Sequence, residues 1–450
     1  MLTNRETAST KRLLFVAPSA YPLGGVQTWL DYLLPGLAQR DWQPILGLTS
    51  GRFHDVGRYL TVHPWPDCVT ITNPTGSAEG RILALITTIR RVRPHLVISV
   101  NIPDTYAAIE RLRVRREPAP RVVMSNHSIE SQYLGDAKNW SHVLDGMIGT
   151  NRLTCRLAEE YAGLESARVH YAPYGVECPS PPVRRTRNAG PLRIAYSGRL
   201  DQEQKRAQDI PLILDHLQAL GVDYQFQVAG GGPSEASLKE RLRSGIESGQ
   251  VRFLGVLDPA ALNEHLYDWA DVLLVTSFWE TGPIVIWEAM ARGLPVASSR
   301  YVGSGLEGSL KDGDNCLLFP VGDTETAAMQ LGRMTDPEVR VALAEHGCQL
   351  VNERYTRERS ITSWDCCLRA ILQQPQCEIR AKSTPIAPAG RLDHWLGTGL
   401  GESVRRILGQ SYRHTEPGGE WPHVHGSDDL GHLDNSEFWL KAAQIDVNLI

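Results

Sequence analysis

Residues 277–296 read SFWETGPIVIWEAMARGLPV and are preceded by DVLLVTS, which ends on the shared Ser277. DVLLVTS is apolar and β-branched along most of its length, the pattern of a strand buried on both faces of a parallel sheet. Gly282-Pro283 then opens a helix. Pro suits a first helical position, because its missing N–H has no intrahelical partner there. The N–H groups of Gly282, Ile284 and Val285 are left facing outward at the positive end of the helix dipole. GLPV begins the next strand. Strand, helix start and strand in this register specify an α/β domain, whose ligands bind outside the carboxyl ends of the strands. Two carboxylates stand eight positions apart across the helix start: Glu280 in the mouth of the site and Glu288 on the second turn. The amides suit a phosphate, and the carboxylates suit two sets of hydroxyls.

The same alternation extends in both directions. LLFVA (13–17), PILGLTS (44–50), HLVISV (95–100), RVVMS (121–125), DGMIGT (145–150) and ARVHYA (167–172) read as strands separated by helical patterns. Pro35 falls inside the first of these patterns, where a kink is expected. CPSPPVRRTRNAGP at 178–191 has no periodicity and reads as a linker. The alternation restarts with LRIAYSGRL, YQFQVAGGGP, VRFLGVL, ADVLLVTS and LPVASS. The expected layout is a polar leader at 1–11, a Rossmann-like domain at 12–178 and a linker at 179–191. A second Rossmann-like domain follows at 192–352, then a helix at 353–372. Two doubly wound domains of this kind face a cleft, the usual location for a shared ligand. Residues 373–450 are rich in Pro, Gly and His, and read as a partly disordered tail or small appendage. Its deletion from residue 378 is expected to leave the core folded. Within it, His423-x-His425 with Asp428 and Asp429 offers donors to a metal ion, although a solvated tail is the preferred reading.

The composition is that of a soluble α/β protein, with 42% hydrophobic and 22% charged residues over 450 positions. A formal net charge of −5 argues against general nucleic-acid binding. Locally, nine Arg fall within 81–121 against Asp104, Glu110 and Glu117. If Arg90, Arg91, Arg93, Arg111, Arg113, Arg115 and Arg116 share a face, they form a patch for anionic lipid or an acidic acceptor; solvated helix faces are the equal alternative. Eight Cys (68, 155, 178, 316, 348, 366, 367 and 377) lack metal-ligand spacing, which suits a reducing compartment. No 18-residue apolar run occurs, and the start MLTNRETASTKR is polar rather than signal-like. The expected location is cytoplasmic, with possible peripheral contact at the inner face of a membrane.

Taken with its flanking strands, the Glu280/Glu288 pair resembles the Glu-x7-Glu signature of family-four retaining glycosyltransferases, which have the GT-B fold. The resemblance covers roughly residues 12–372. It implies that Glu288 holds the ribose of a sugar nucleotide and that Glu280 contacts the donor sugar. Ser197-Gly198-Arg199-Leu200 with Lys205 is similar to the family's diphosphate clamp. Two fixed cations there stabilise the charge that grows on the leaving group without a metal ion. One departure is Arg206, where the family usually has Gly after the Lys. The turn Gly230-Gly231-Gly232-Pro233 resembles the family's GxGP turn and reads as structural. Gly24-Gly25 lies in the first βα loop, which in the family moves on donor binding; it suits close approach to a phosphate or sugar, with a simple turn as the alternative. His127, past the strand RVVMS, matches a His that contacts the donor sugar in similar enzymes. A further family His is replaced here by Asn101. In the family a C-terminal helix such as that at 353–372 crosses back to the N-terminal domain.

These readings make the chain a metal-independent retaining glycosyltransferase with no cofactor beyond a nucleotide-diphosphate sugar co-substrate. The acceptor is a glycan, lipid or small molecule. The expected sites are His127, Glu280, Arg199 and Lys205 for catalysis. Gly24, Gly25, Arg199, Lys205, Gly282, Ile284, Val285 and Glu288 are expected to hold the donor. A GT-B sugar-nucleotide epimerase and a non-catalytic nucleotide-sugar-binding protein are the rival readings.

Overall fold

The computed structural model describes residues 10–21, 24–179, 190–378, 383–388, 390–425 and 435–447. Most of the leader and most of the linker lie outside them, and Lys11 already belongs to the first strand. The chain divides into two compact units: unit 1 holds 1–150, 154–172 and 361–435, and unit 2 holds 151–153, 173–360 and 436–450.

Unit 1 contains β1 (Lys11–Ala17), β2 (Trp42–Ser50), β3 (Cys68–Thr72), β4 (Leu96–Val100), β5 (Arg121–Asn126), β6 (Gly146–Gly149) and β7 (Val169–Tyr171). They form one sheet in the order β3-β2-β1-β4-β5-β6-β7, with every pairing parallel. The β1 run Leu13–Val16 is fully buried, as expected of a central strand covered on both faces. β3 was not foreseen, because CVTIT is short and only one of its five residues is buried. The helix Gly25–Ala38 runs through Pro35.

Unit 2 contains β8 (Leu192–Ser197), β9 (Tyr224–Ala229), β10 (Val251–Gly255), β11 (Val272–Val275), β12 (Val296–Ser299) and β13 (Leu317–Phe319). Their order is β10-β9-β8-β11-β12-β13, again all parallel. In each sheet the chain winds outward to one edge and then returns to the middle strand, so strand order reverses beside β1 in unit 1 and beside β8 in unit 2. Open α/β sheets bind ligands at such reversal points. The helix expected at 353–372 is observed at Arg357–Gln373, and from Ile361 it belongs to unit 1.

The tail departs from expectation. Its described residues form helices at Arg391–Leu396, Thr398–Leu408, Pro417–Glu420 and Asn435–Val447. Trp421 and Phe438 are fully buried. Glu402, also fully buried, accepts from Thr75 Oγ1 (2.9 Å), Ser77 Oγ (2.6 Å) and Arg406 Nε (2.9 Å). Periodicity missed this segment because it is held by isolated aromatics and buried ion pairs such as Arg405–Asp393 (2.6 Å), not by an apolar stripe.

The arginines of 90–116 divide between the interior and the surface. Arg113 is buried against Asp145, Arg111 holds Glu79 at 2.5 Å, and Arg90 holds Glu117 at 2.6 Å. Arg111 and Arg113 are thus neutralised inside the fold, because a buried cation is tolerated only beside an anion, whereas Arg90, Arg91, Arg93, Arg115 and Arg116 are exposed. Among the described residues, no helix is long and apolar enough to cross a membrane. All eight cysteines are free thiols.

Candidate functional site

The unit 2 site is built at the carboxyl ends of β8 and β11. After β8 the chain turns through Gly198-Arg199-Leu200-Asp201, and Asp201 organises the turn. Its carboxylate accepts from Arg199 Nε (2.6 Å), Gln204 N (2.8 Å) and Lys205 N (3.0 Å). Burial raises the Asp201 carboxyl, but the Lys205 N–H, the Arg199 side chain and the Gln204 N–H outweigh it and hold it below the usual range. The turn is tied to the segment after β11 by Thr276 Oγ1 donating to Lys205 O (2.7 Å) and Phe278 N donating to Gln204 O (2.7 Å).

These ties bring Lys205 and Glu280 together. Lys205 Nζ lies 2.5 Å from Glu280 Oε1, and Ser277 Oγ donates to the same oxygen at 2.6 Å. Both partners are largely buried. Arg199 is more exposed and holds Asp201 and Gln204 Oε1 (2.8 Å). Lys205 and Arg199 thus stand beside the helix Ile284–Ala291 with their charges balanced by Glu280 and Asp201.

That helix begins one residue later than expected. Pro283 is its N-cap with extended backbone, and Ile284 is its first helical residue. Gly282 takes φ 120°, a conformation that disfavours a side chain. No side chain caps the helix. Among the described residues, the N–H groups of Gly282, Ile284 and Val285 have no acceptor, the condition for an anion site at a helix start. Glu288 is half-buried on this helix and accepts from Tyr267 Oη at 3.0 Å. Burial pushes its carboxyl up to about 7.

Gly230 and Gly232 serve the turn beside this site. A Cβ on either would run into the carbonyl of Gly198 or Leu200, and both take positive φ. Arg206 takes φ 50°, the conformation that Gly would occupy without strain. Its guanidinium grips Asp209 at 2.7 Å and 3.1 Å.

In unit 1, Gly24 is the N-cap of the helix Gly25–Ala38, with its carbonyl accepting from Thr28 N at 3.2 Å. His127 follows β5, with Nε2 3.2 Å from Ser125 Oγ and its ring 4.7 Å from Trp29. Burial pushes the imidazole down to about 3, so it is neutral at physiological pH. His425, of the His423-x-His425 pair, is turned to a carboxylate. Its Nε2 faces Asp104 at 3.3 Å, and Asp104 also holds Arg81. Asp428 and Asp429 lie outside the described residues. Among the described residues no cluster of His, Cys, Asp and Glu is arranged for a metal.

Sequence reasoning missed Asp201, Gln204, Ser277 and Tyr267. Asp201 had a usable signal, because Asp ahead of a tight loop accepts N–H groups two to four residues on. Tyr267 had none, since its helix lies 21 residues before Glu288.

Two all-parallel, doubly wound units of these strand orders constitute the GT-B fold. Similar structures are the lipopolysaccharide outer core galactosyltransferase WaaB in its apo form and Anabaena HepE in complex with UDP and glucose. WaaB gives a TM-score of 0.63 at 17% identity, over 80% of this chain and 99% of that one. HepE gives 0.62 at 19% identity, over 79% and 99%. In sequence, residues 191–336 match the family described as Glycosyl transferases group 1. The chain is 28% identical over 170 residues to N-acetyl-alpha-D-glucosaminyl L-malate synthase of Bacillus anthracis, covering 38% of this chain and 43% of that protein. It is 33% identical over 129 residues to the lipopolysaccharide core biosynthesis glycosyltransferase LpsE of Rhizobium meliloti, covering 28% and 36%. It is also 30% identical over 161 residues to phosphatidyl-myo-inositol mannosyltransferase of Mycolicibacterium smegmatis, covering 35% and 40%. The chain thus spans less than half the length of these curated relatives.

Proposed function

We propose that this chain is a retaining glycosyltransferase that moves a sugar from a nucleotide-diphosphate donor to an acceptor hydroxyl in glycan, polysaccharide or glycolipid assembly. The observation that carries the reading is the Lys205–Glu280 pair at 2.5 Å, placed at the strand-order reversal of unit 2 beside a helix start with unpaired amides. The group 1 match spans every unit 2 residue of this site. Relatives named for lipopolysaccharide core and phosphatidyl-myo-inositol chemistry support the acceptor class.

In this reading the diphosphate meets the N–H groups of Gly282, Ile284 and Val285, together with Arg199 and Lys205. As the glycosidic bond breaks, negative charge grows on the leaving phosphate. Cations already fixed in place stabilise that charge without reorganising. Glu280, relieved of part of Lys205, turns a carboxylate oxygen to a donor-sugar hydroxyl. Glu288 takes the ribose hydroxyls. His127 and the Gly24-Gly25 loop, on unit 1, are assigned to the transferred sugar; a neutral imidazole serves there as hydrogen-bond donor or acceptor, not as a cation. The acceptor hydroxyl attacks the face the phosphate leaves, and a phosphate oxygen takes its proton, so retention needs no protein nucleophile. Arg199 and Lys205 fill the role of a divalent ion.

The test is a thermal-shift panel of UDP, GDP, ADP and dTDP with and without EDTA, followed by product analysis with donor plus acceptor. At 100 times its dissociation constant the true nucleotide stabilises by about 2.7 kcal/mol. The expected result is one preferred nucleotide, transfer that persists in EDTA, and a product with the donor's anomeric configuration. An epimerised donor with no transfer, or activity restored only by manganese or magnesium, would refute the reading.

A further inference from the structure

The strand-order reversal of unit 1 carries a cavity of about 180 Å³ at the carboxyl ends of β1 and β4. Gly24, Gly25 and Gln27 line one side, from the start of the helix Gly25–Ala38. Asn101 lines another, just past β4, and takes φ 55°. The remaining wall comes from a residue more than 300 positions on: His423, whose ring sits 5.1 Å from that of Tyr21. His423 Nε2 is buried and has no hydrogen-bond partner among the described residues. A buried imidazole nitrogen without a partner carries a desolvation penalty that a ligand hydroxyl or a water would relieve. Burial pushes this imidazole down to about 4, with the neighbouring His54 lowering it further, so it is neutral and meets a hydroxyl as donor or acceptor.

We infer that this cavity is a subsite for a neutral, ring-sized polyol portion of the acceptor, and that His423, supplied by the C-terminal segment, is its specificity-determining polar contact. The inference rests on the transferase reading above. Size limits the ligand. The cavity equals roughly six waters of liquid volume and lies below the ~300–1,000 Å³ of a drug-sized site, so it takes one ring and not an oligosaccharide. Charge limits it too: the amides of Gln27 and Asn101, the Tyr21 phenol and a neutral imidazole line it, and among the described residues no Lys or Arg does. A carboxylate or phosphate there would meet the helix start alone, without cations such as the Arg199 and Lys205 that stand at the unit 2 site. Tyr21, 43% exposed, offers an aromatic face for the C–H side of a sugar ring or cyclitol.

The experiment uses the full chain with ¹⁵N-labelled histidine, the His423 ring resonance being assigned by its loss in His423→Gln. Methyl α-glucoside and myo-inositol are titrated as neutral probes, and malate and glycerol 3-phosphate as anionic ones. The expected result is saturable displacement of the His423 resonance by a neutral ring and none by the anions. Tyr21→Ala, which removes a partly exposed ring and spares the core, weakens that binding by roughly three- to tenfold. His423→Ala weakens binding by a similar factor, read from the resonance of the neighbouring His54, and His423→Gln restores part of it by supplying a hydrogen-bonding group. Displacement by no neutral ring up to 100 mM (about the upper limit for a weak subsite), equal displacement by the anions, or unchanged affinity in Tyr21→Ala and His423→Ala each overturns the assignment. UDP binding is followed in the same samples by thermal shift. Loss of nucleotide binding with polyol binding intact strikes the transferase reading alone, whereas the reverse strikes only the subsite.

Discussion

Lys205 and Glu288 are both ionisable side chains of the unit 2 site, yet the structure gives them opposite surroundings. Lys205 is held by Glu280, whose carboxylate oxygen also accepts from Ser277 Oγ, in a preformed charge pair, whereas Glu288 is a half-buried acid with a tyrosine hydroxyl for company. Lys205 is assigned to charge that grows in the transition state, so Lys205→Ala is expected to lower kcat and kcat/KM together, by on the order of 10² to 10³. Glu288 is assigned to ribose hydroxyls that change little during reaction, so Glu288→Gln is expected chiefly to raise donor KM. Steady-state kinetics on folded variants reads the split, and a Lys205→Ala enzyme altered only in KM would falsify it. Glu288 also sets a pH dependence. Burial raises its carboxyl from the ordinary 4.5 to about 7 in the folded chain. Between those pH values the native chain keeps a proton that the unfolded chain has released. Stability therefore falls as pH rises through this window and reaches its floor above pH 7. Glu288→Gln removes the dependence: urea unfolding should show little difference at pH 4.5, and a gain on the order of 1–3 kcal/mol for the variant at pH 8. Equal curves at both pH values would mean that the acid is less desolvated than its contacts indicate.

The loop after β8 and the helix start after β11 are short elements whose geometry depends on a few backbone positions. Arg206 is the informative one. It occupies a left-handed conformation that costs a non-Gly residue about 1–2 kcal/mol, partly offset by its half-exposed grip on Asp209. Arg206→Gly removes the strain along with the ion pair, whereas Arg206→Ala removes the ion pair and keeps the strain. The Gly variant is expected to be the more stable of the two by about 1 kcal/mol, read as the difference in urea midpoint at equal m-value. An Ala variant as stable as the Gly variant would show that the turn relaxes out of this conformation. The helix Asn435–Val447 acts on the same site from outside it. Asp446 accepts from the N–H groups of Gly303 (2.8 Å), Gly305 (3.0 Å) and Leu306 (2.8 Å), and Trp439 stacks on Trp279 at 5.6 Å. Val302 O in turn accepts from Glu280 N at 3.1 Å. The end of the chain thus braces both strands of backbone that present Glu280.

At the scale of the whole molecule, each unit completes its core with residues from the C-terminal segment. Trp421 fills unit 1, with its Nε1 3.3 Å from Ser50 O, and Glu420 accepts from the N–H groups of Arg52 (2.7 Å) and Phe53 (2.9 Å). Phe438 and Asp446 fill unit 2. Deleting residues 378–450 removes all of these and strands Thr75 and Ser77, whose hydroxyls donate to Glu402. The truncated chain is expected to be insoluble, or to unfold well below the full-length protein. Trp421→Ala, a milder version of the same loss, should cost about 3–5 kcal/mol by urea unfolding. A soluble truncated chain with an unchanged midpoint would return the segment to the status of an appendage.

The sequence by itself determined the parts that depend on local order. Strand and helix periods fixed two alternating α/β halves. Gly282-Pro283 fixed a helix start within one residue, with Arg199, Lys205 and Glu280 in the loops after two strands and Glu288 on the helix itself. Those signals are local because a buried parallel strand and an N-cap each declare themselves within a few residues. Only the tertiary structure decided the rest. The Lys205–Glu280 pair joins residues 75 positions apart, and Tyr267 reaches Glu288 from another helix. Arg111 and Arg113 are spent on Glu79 and Asp145, and His423 reaches the Gly24-Gly25 loop from nearly 400 positions away. Charge pairing and the filling of a cavity depend on distance in space, and a chain records that distance nowhere in its local pattern.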